Sequence, residues 1–269
     1  MSQGLQKEKG NAPDRDALLR VESVRVSFGG IVALDGVSFT IAAGQIAGLI
    51  GPNGAGKTTL FNCLSRLYDV DSGDIYFDGR PLLDVPKHRI AREGIGRTFQ
   101  NLALFRTMSV FDNIQVGRHC RTGSGFASNA LRLPRVVREE RDSSMRAHEL
   151  VSFLQLGEVA NKRVSDLSFG TQKRVELGRA LASEPRLLLL DEPASGLNHE
   201  EVDALAALIR SIRDTLGMTV LLVEHHMNLV MNVSDKVIAL DFGRKIAEGT
   251  PDEVRSHPEL IRAYLGTAH

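Results

Sequence analysis

A glycine-rich sequence in the first quarter of the chain reads Gly51-Pro52-Asn53-Gly54-Ala55-Gly56-Lys57-Thr58 and fits the pattern GxxxxGK followed by Ser or Thr in full. It lies between the apolar run 45–50, predicted to be a strand, and a predicted helix, which is the context this pattern requires. The glycines let backbone N–H groups turn inward around phosphate oxygens, where a side chain would clash. A helix that begins near Lys57 adds the positive end of its dipole. The sequence therefore predicts a phosphate-binding loop.

Within this loop, two side chains have distinct predicted roles. The Lys57 ammonium is a mobile cation for the β- and γ-phosphates of a nucleotide, and the Thr58 hydroxyl is placed to ligate Mg²⁺. The motif predicts a nucleotide bound with Mg²⁺, and the family resemblance described below implies that the nucleotide is ATP. The complete set of phosphate-loop residues predicted to bind the nucleotide is Gly51, Asn53, Gly54, Ala55, Gly56, Lys57, Thr58 and Thr59.

Two adjacent acids follow four consecutive leucines at 187–190, a composition typical of a fully buried strand. In a parallel sheet, the carboxyl end of that strand lies at the same edge as the phosphate loop. Consecutive residues at a strand end point in different directions, so the two carboxylates take different tasks. We expect Asp191 to hold Mg²⁺ through water, and Glu192 to act on the attacking water as a general base or orienter.

A histidine pair follows the next predicted strand, 219–223. An imidazole at this strand end is able to donate to the γ-phosphate and to fix Glu192. The residues alone do not decide between His225 and its neighbour His226, and a structural role for a lone histidine there remains an alternative.

The rest of the chain has the pattern of one α/β domain. Alternating apolar residues predict half-buried antiparallel strands near the N-terminus, at Val24, Val26 and Phe28 and again at 37–41. Strands and helices alternate after residue 187, which predicts a mainly parallel sheet covered on both faces. A helix is predicted from an Asn198–Glu201 cap to Gly217, then a hairpin over 237–247 and a final helix from Thr250.

Composition excludes several classes of protein. The 269 residues suffice for a buried core, and 33 basic residues balance 33 acidic ones, which argues against a nucleic-acid partner. Cys63 and Cys120 have no metal-like spacing and are expected to be reduced thiols. No apolar run has the length of a membrane span, so a membrane role would be peripheral. Residues 1–16 are polar and are predicted to be a mobile tail.

Further motifs give the chain a clear resemblance to the ATP-binding-cassette (ABC) ATPase family. Leu167-Ser168-Phe169-Gly170-Thr171-Gln172 resembles the family's signature, and 194–198 resembles its D-loop. The resemblance spans about residues 18–265. It implies an α/β fold: a P-loop NTPase (RecA-like) core, an N-terminal antiparallel β subdomain and an inserted α-helical signature subdomain at about 101–183, all within one domain, 17–269.

The resemblance also assigns residues. Gln100 resembles the Q-loop glutamine, a catalytic and Mg²⁺-contacting residue, and His225 resembles the switch histidine. Ser168 and Gly170 would contact the γ-phosphate of a second subunit, and Phe28 would stack on adenine. A place for Phe28 in the core is the competing interpretation, because Phe28 shares its strand face with Val24 and Val26. The chain departs from the family motifs at two places that bear on the rate of ATP hydrolysis. In the signature, Phe169 and Thr171 replace the commonest residues, Gly and Gln. In the D-loop, Asn198 replaces the usual Asp.

At these positions, and in the segment 261–266, the sequence resembles that of one subgroup, the ATP-binding subunits of bacterial branched-chain (hydrophobic) amino acid importers. The implied partners are two hydrophobic permease subunits, a second ATP-binding subunit in a homodimer or heterodimer, and indirectly a periplasmic solute-binding protein. The implied location is the cytoplasmic face of the inner membrane, as a peripheral protein. The apolar run 102–111 either lines a groove for a permease helix or belongs to the subdomain core. The seven arginines between 118 and 146 favour a solvated helical face.

Other function classes have less support. An importer for urea or short amides would have the same ATPase motifs. Cassettes that act on ribosomes or DNA usually carry two cassettes in one chain or a long coiled-coil insertion, and neither is found here. A P-loop kinase for a small molecule has no place for the signature at 168–172.

Overall fold

The computed structural model describes residues 17–98, 102–121 and 134–265. The tail predicted at 1–16 and the predicted Q-loop residue Gln100 lie outside the described residues. The described chain contains two β-sheets, one antiparallel and one mainly parallel, with helices around them.

The first sheet is antiparallel, as the alternation of apolar residues predicts, and has the strand order β2-β1-β4-β5. Its inward side chains, such as Val24 and Ile41, are fully buried, and the intervening polar residues face outward. The strands are β1 (Ala17–Phe28), β2 (Ile31–Ala42), β4 (Ser72–Phe77) and β5 (Arg80–Pro81).

The second sheet has the order β10-β9-β3-β8-β7-β6, and every neighbouring pair from β9 to β6 is parallel. All five residues of β3, β7 and β8 are buried, which confirms the strands predicted from unbroken apolar runs. The strands are β3 (Ile46–Ile50), β6 (Ile95–Arg97), β7 (Leu187–Asp191), β8 (Thr219–Val223), β9 (Lys236–Asp241) and β10 (Arg244–Gly249).

The leucines of β7 show why this sheet needs cover on both faces. Leu188 and Leu190 pack into one hydrophobic cluster, whereas Leu187 and Leu189 pack into another that includes the antiparallel sheet. Because successive side chains of a strand point to opposite faces, four consecutive leucines require two apolar layers. The α/β fold class predicted from the sequence is thereby confirmed.

Nine α-helices lie in the described residues. They are α1 (Lys57–Leu64), α2 (Ile90–Glu93), α3 (Val110–Val116), α4 (Pro134–Phe153), α5 (Phe169–Ala182), α6 (His199–Leu216), α7 (Met227–Val233), α8 (Pro251–Arg255) and α9 (Pro258–Leu265). Short 3₁₀ turns occupy Lys87–Arg89, Gly117–Arg121, Gly157–Val159 and Val164–Asp166.

The helix ends follow the local sequence signals. Asn198 and Glu201 form a reciprocal capping box at the start of α6, and Gly217 ends that helix in the left-handed conformation. Thr250 caps α8 in the same way. The helix predicted to start at Thr250 is confirmed as α8, but it is not the final helix, because α8 ends at Arg255 and Pro258 begins a separate helix, α9.

The region between the two halves of the parallel sheet is helical, and α3, α4 and α5 pack against one another. Within the apolar run 102–111, Val110 is fully buried while Phe105 is 49% exposed, so the run contributes to the core only in part. Arg135 pairs with Glu139 and is 74% exposed, which fits a solvated helical face. In contrast, Arg118 and Arg146 pair with Glu184 and are only 18% and 19% exposed. The subdomain bounds of about 101–183 stay a prediction.

The two cysteines are both unbridged thiols, as expected. Burial raises the pKa of the Cys63 thiol to about 12, which makes it a poor nucleophile at neutral pH.

Candidate functional site

Three loops that carry predicted nucleotide-binding or catalytic residues follow three neighbouring strands of the parallel sheet. The phosphate loop follows β3, Glu192 follows β7, and His225 comes two residues after β8. The strand order places β8 between β3 and β7. Because parallel strands end at one edge of the sheet, the fold brings these loops together there.

The phosphate loop has a backbone that leaves the start of α1 open. Gly54 and Gly56 have φ values of 82° and 98°, and a Cβ on Gly56 would lie 2.6 Å from the carbonyl oxygen of Ala33. A side chain at position 56 is therefore excluded by both conformation and space. Helix α1 begins at Lys57 without a side-chain cap or an acid in its first turn, so its N–H groups suit a phosphate.

Lys57 is folded over this loop. Its ammonium donates to the carbonyl oxygens of Gly51 at 2.6 Å and Pro52 at 2.9 Å. Burial lowers the pKa of the Lys57 ammonium, and the charge of Glu192 opposes that shift. Among the other predicted loop residues, Asn53, Gly54 and Thr58 are exposed, Gly56 and Thr59 are half-buried, and Gly51 and Ala55 are buried.

Asp191 ends β7 as a buried carboxylate with a basic partner that the sequence analysis did not identify. Its Oδ2 accepts from the Arg97 guanidinium at 2.8 Å. Arg97 also donates to the side chains of Asn62 and Ser65 at the end of α1. This arginine therefore links the strand before the predicted Q-loop, the phosphate-loop helix and the acid predicted to hold the metal.

Replacing Arg97 by methionine is expected to lower the free energy of unfolding by about 3–5 kcal/mol, because Asp191 would keep a buried charge without its partner. The side chains of this pair are only 11% and 7% exposed. The matched control is Arg135→Met, which removes an ion pair whose arginine is 74% exposed and should cost under about 0.5 kcal/mol. Urea unfolding measures both. Equal costs for the two variants would contradict the structural role assigned to Arg97.

Glu192 and His225 face each other. The Nδ1 atom of His225 lies 3.9 Å from Oε2 of Glu192, and the imidazole is about half exposed. Glu192 has a φ of 46°, a left-handed conformation that is uncommon for a residue with a side chain and that is enriched at functional sites. Its backbone N–H donates to the Val223 carbonyl of β8. The catalytic turn is thus tied to the strand that leads to His225.

The structure separates the two histidines that the sequence left ambiguous. His226 contacts Glu224, with Nδ1 3.2 Å from Oε2. Glu224 is fully buried, and its carboxylate accepts from the backbone N–H groups of Ala194, His225 and His226. Glu224 therefore anchors the histidine turn to the loop after β7. His225 lies between two carboxylates, with its Nδ1 atom 3.8 Å from Oε2 of Glu224 and 3.9 Å from Oε2 of Glu192.

Phe28 does not lie in the core, so that competing interpretation is wrong. Its side chain is 47% exposed, and its ring meets Tyr68 edge-on with centroids 5.2 Å apart. Phe28 is the last residue of β1 and lies beyond Arg25, the last residue of that strand that pairs with β4, so it sits at the end of the sheet rather than over its buried middle. An exposed aromatic face is the geometry that adenine stacking requires.

The signature residues lie at the start of α5. Ser168 is the N-cap, and its hydroxyl accepts from the Thr171 N–H and lies 2.9 Å from the Thr171 hydroxyl. Ser168 is exposed and Gly170 is half-buried. Thr171 thus supports the cap, and Asn198 keeps the capping function at α6, so both departures from the common motifs retain a local role.

Tyr264 is a further contact of the phosphate loop that sequence reasoning missed. Its hydroxyl accepts from the Gly51 N–H at 3.1 Å, which joins α9 to the first residue of the loop. No local pattern pairs residues so distant in the chain. For Glu224, an acid at the end of a buried strand was an available signal. For Arg97, the sequence offers no comparable signal.

Comparison with known proteins agrees with this arrangement. The sequence model of a family described as ABC transporter matches residues 34–195, which include the phosphate loop, the signature and the two acids at the end of β7. The chain belongs to the ABC transporter family. A second family model, described as branched-chain amino acid ATP-binding cassette transporter, matches residues 244–269.

Curated relatives cover the ABC cassette almost from end to end. The chain is 41% identical to the high-affinity branched-chain amino acid transport ATP-binding protein BraF of Pseudomonas aeruginosa, over 93% of this chain and 98% of that protein. It is also 41% identical to the corresponding protein LivG of Escherichia coli K12, with the same coverage.

A solved structure shares the fold of this cassette. It is the ADP conformation of an ATP-binding cassette of an ABC transporter, with a TM-score of 0.81 and 30% identity over 93% of this chain and 99% of that chain. ABC cassettes are ATPases, and this chain is one. Among the residues that the structure describes, none of the helices is both long enough and apolar enough for a bilayer span.

Proposed function

We propose that this cassette binds ATP between the phosphate loop and Phe28 and hydrolyses it with Glu192 as general base or water-orienting group. Phe28 stacks on adenine, and Lys57 with the open N–H groups of α1 binds the phosphates. His225 holds Glu192 and donates to the γ-phosphate. The 3.9 Å approach of His225 to Glu192 supports this pairing. Gln100 completes the set in the proposal, as a residue that reaches the metal or water.

Mg²⁺ fits the donor set at the loop. The Thr58 hydroxyl and the Asp191 carboxylate are hard oxygen ligands, which Mg²⁺ prefers, and Gln100 adds an amide oxygen in the proposal. The Arg97 contact uses Oδ2 of Asp191, and a carboxylate has about four acceptor positions, so the ion pair and a water-mediated metal contact are compatible. When bound, Mg²⁺ neutralises charge on the β- and γ-phosphates.

A second ATP-binding subunit completes the site. Ser168 is exposed at the N-terminus of α5, where its hydroxyl and the neighbouring amides suit the far side of a γ-phosphate held by another chain. Two nucleotides then join two cassettes, which are two copies or one copy and a relative. Hydrolysis separates them, and this movement drives attached membrane subunits.

The transported solute is a branched-chain or other hydrophobic amino acid, moved inward through two hydrophobic permease subunits. The single observation that carries this assignment is the 41% identity to BraF across nearly the whole chain, supported by the family match at 244–269. The chain is then a peripheral protein at the cytoplasmic face of a bacterial inner membrane, and a periplasmic solute-binding protein supplies the solute indirectly.

The decisive experiment is uptake of labelled leucine, isoleucine and valine in the source bacterium after deletion of this gene. Uptake should fall and should return with the wild-type chain but not with Lys57→Ala, while Lys162→Met, an exposed change outside the site, should restore it. Loss of urea or acetamide uptake instead would reassign the solute. Affinity purification from membranes should recover two hydrophobic proteins, and recovery of ribosomes would contradict a transport role.

A further inference from the structure

Phe169 replaces the glycine that is commonest in the ABC signature, and its ring has a specific place. A Cβ built on Gly196 would lie 2.9 Å from Cε1 of Phe169, so the ring rests directly against this glycine. Gly196 has a φ of 80° and belongs to the D-loop, which connects Glu192 to α6. A side chain at position 196 would require a strained backbone conformation and would collide with the Phe169 ring. The aromatic residue thus fills a contact within its own chain.

Lys173, one helical turn after Phe169, reaches the other end of the same loop. Its ammonium donates to the backbone carbonyl of Glu192 at 3.4 Å and lies 5.4 Å from the centre of the Phe169 ring. That carbonyl also accepts from the Ser195 N–H, which closes the turn. Burial lowers the pKa of Lys173, and the acids Glu176, Glu224 and Glu192 favour its charged form.

A third contact completes the set: the backbone of Gly170 lies against the Glu201 carboxylate at the start of α6. A cleft of about 470 Å³ between α5 and α6 is lined both by the first turns of α5, through Gly170 and Lys173, and by deeper residues such as Leu177. Beside this cleft, Phe169 contacts Gly196 and Lys173 contacts the carbonyl of Glu192. These two side chains therefore connect the start of α5 to the loop 192–197.

We propose that Lys173 and Phe169 are positioning residues that hold the loop 192–197, and with it the carboxylate of Glu192, in its catalytic conformation. The signature helix then serves two nucleotide sites. Its N-terminus faces the nucleotide of the partner subunit, and its Lys173 and Phe169 fix the general base of its own. Movement of α5 on contact with the partner's nucleotide is transmitted to Glu192 through these two side chains. This inference rests on the function proposed above.

The first test is Lys173→Met, which removes the ammonium and keeps a long apolar chain. We expect kcat for ATP to fall about tenfold or more with KM nearly unchanged, since a misplaced general base slows chemistry without weakening nucleotide binding. Lys173→Arg should recover much of the rate, because it restores the donor and the ring contact. The matched control Lys162→Met should match wild type in kcat and thermal stability. An unchanged kcat in Lys173→Met would overturn the proposal.

Phe169→Gly introduces the commonest signature residue and tests the ring separately. We expect a lower kcat with KM nearly unchanged, whereas Phe169→Tyr, which keeps the ring, should remain near wild type. Improved turnover in Phe169→Gly would overturn the role given to the ring. Thermal denaturation identifies any variant that fails to fold. In that case, recovery of kcat in Lys173→Arg tests the positioning role.

Mixed dimers separate an effect on the chain's own site from an effect on the partner's. A Ser168→Arg chain with a Lys57→Ala chain leaves one intact site, built from the phosphate loop of the first and the signature of the second. Adding Lys173→Met to the Ser168→Arg chain should lower turnover, because that chain supplies the phosphate loop and Glu192 of the intact site. The signature of the same chain is already disabled, so the loss cannot come from its effect on the partner's site. Loss only when Lys173→Met is in the second chain would overturn the proposal. Failure of the unmodified mixture would contradict completion in trans, and the kcat measurements still test Lys173.

Discussion

Replacing Glu192 by glutamine is expected to reduce ATP turnover by about 10²–10⁴-fold while ATP binding persists. Glutamine has nearly the same shape as glutamate, so the turn closed by the Glu192 carbonyl and the Ser195 N–H should survive. What disappears is the carboxylate that faces His225 and is proposed to accept a proton from the attacking water. The phosphate loop and Lys57 are unchanged, so the nucleotide still binds.

The same variant should accumulate as an ATP-bound dimer, because hydrolysis is the step that separates two cassettes. Gel filtration with Mg²⁺ and ATP measures this as a shift to twice the monomer mass, and ADP should leave the variant monomeric. Glu158→Gln, an exposed change outside the site, is the matched control and should keep wild-type turnover. A Glu192→Gln chain that stays monomeric with saturating ATP would contradict the proposed cycle.

Ser168→Arg is expected to abolish turnover while one chain still binds ATP with nearly wild-type affinity. Ser168 is exposed at the N-terminus of α5, and an arginine there would remove the cap and place a bulky group where the partner's nucleotide is proposed to lie. Stabilisation supplied in trans to a phosphoryl group is worth about 10³–10⁵ in rate in the related arginine-finger case. We therefore expect a loss of about 10³-fold or more.

Mixing variants shows whether this loss acts across the interface. Neither Ser168→Arg nor Lys57→Ala should hydrolyse ATP alone, but the mixture should regain activity, because one intact site forms in each mixed dimer. Lys57→Ala mixed with Glu192→Gln is the control, since both changes disable the same half-site and no intact site results. Wild-type turnover in Ser168→Arg alone, or activity that is independent of protein concentration, would argue for a site that is complete in one chain.

Much of the fold was accessible from local patterns because these patterns report local physics. The leucines at 187–190 are apolar on both faces, and only a strand inside a two-sided sheet buries such a run. The capping box of Asn198 with Glu201 and the left-handed Gly217 bound α6 as predicted. The Thr250 cap signal located the start of α8, but a cap does not show whether another helix follows, and α9 does follow.

The features of the site that lie within one sequence motif were predictable. Those that depend on two neighbouring strands were less so. Phe28 belongs to the exposed surface because β1 runs past the end of its pairing with β4, at Arg25, and where that pairing ends is a property of the two strands together. The approach of His225 to Glu192 depends on the turn after β8, whose backbone is held by the buried carboxylate of Glu224.

The amino-acid order by itself determined the phosphate loop, the paired acids after β7, the α/β class and the ABC family. Each of these depends on residues adjacent in the chain, whose geometry and chemistry are set within a few peptide units. Only the tertiary structure decided that Arg97 neutralises Asp191, that Tyr264 touches Gly51 and that Lys173 reaches the turn of Glu192. These contacts join segments separated by 19 to 213 residues. Which residues meet in these contacts depends on how the whole sheet packs, and a local sequence pattern does not predict that.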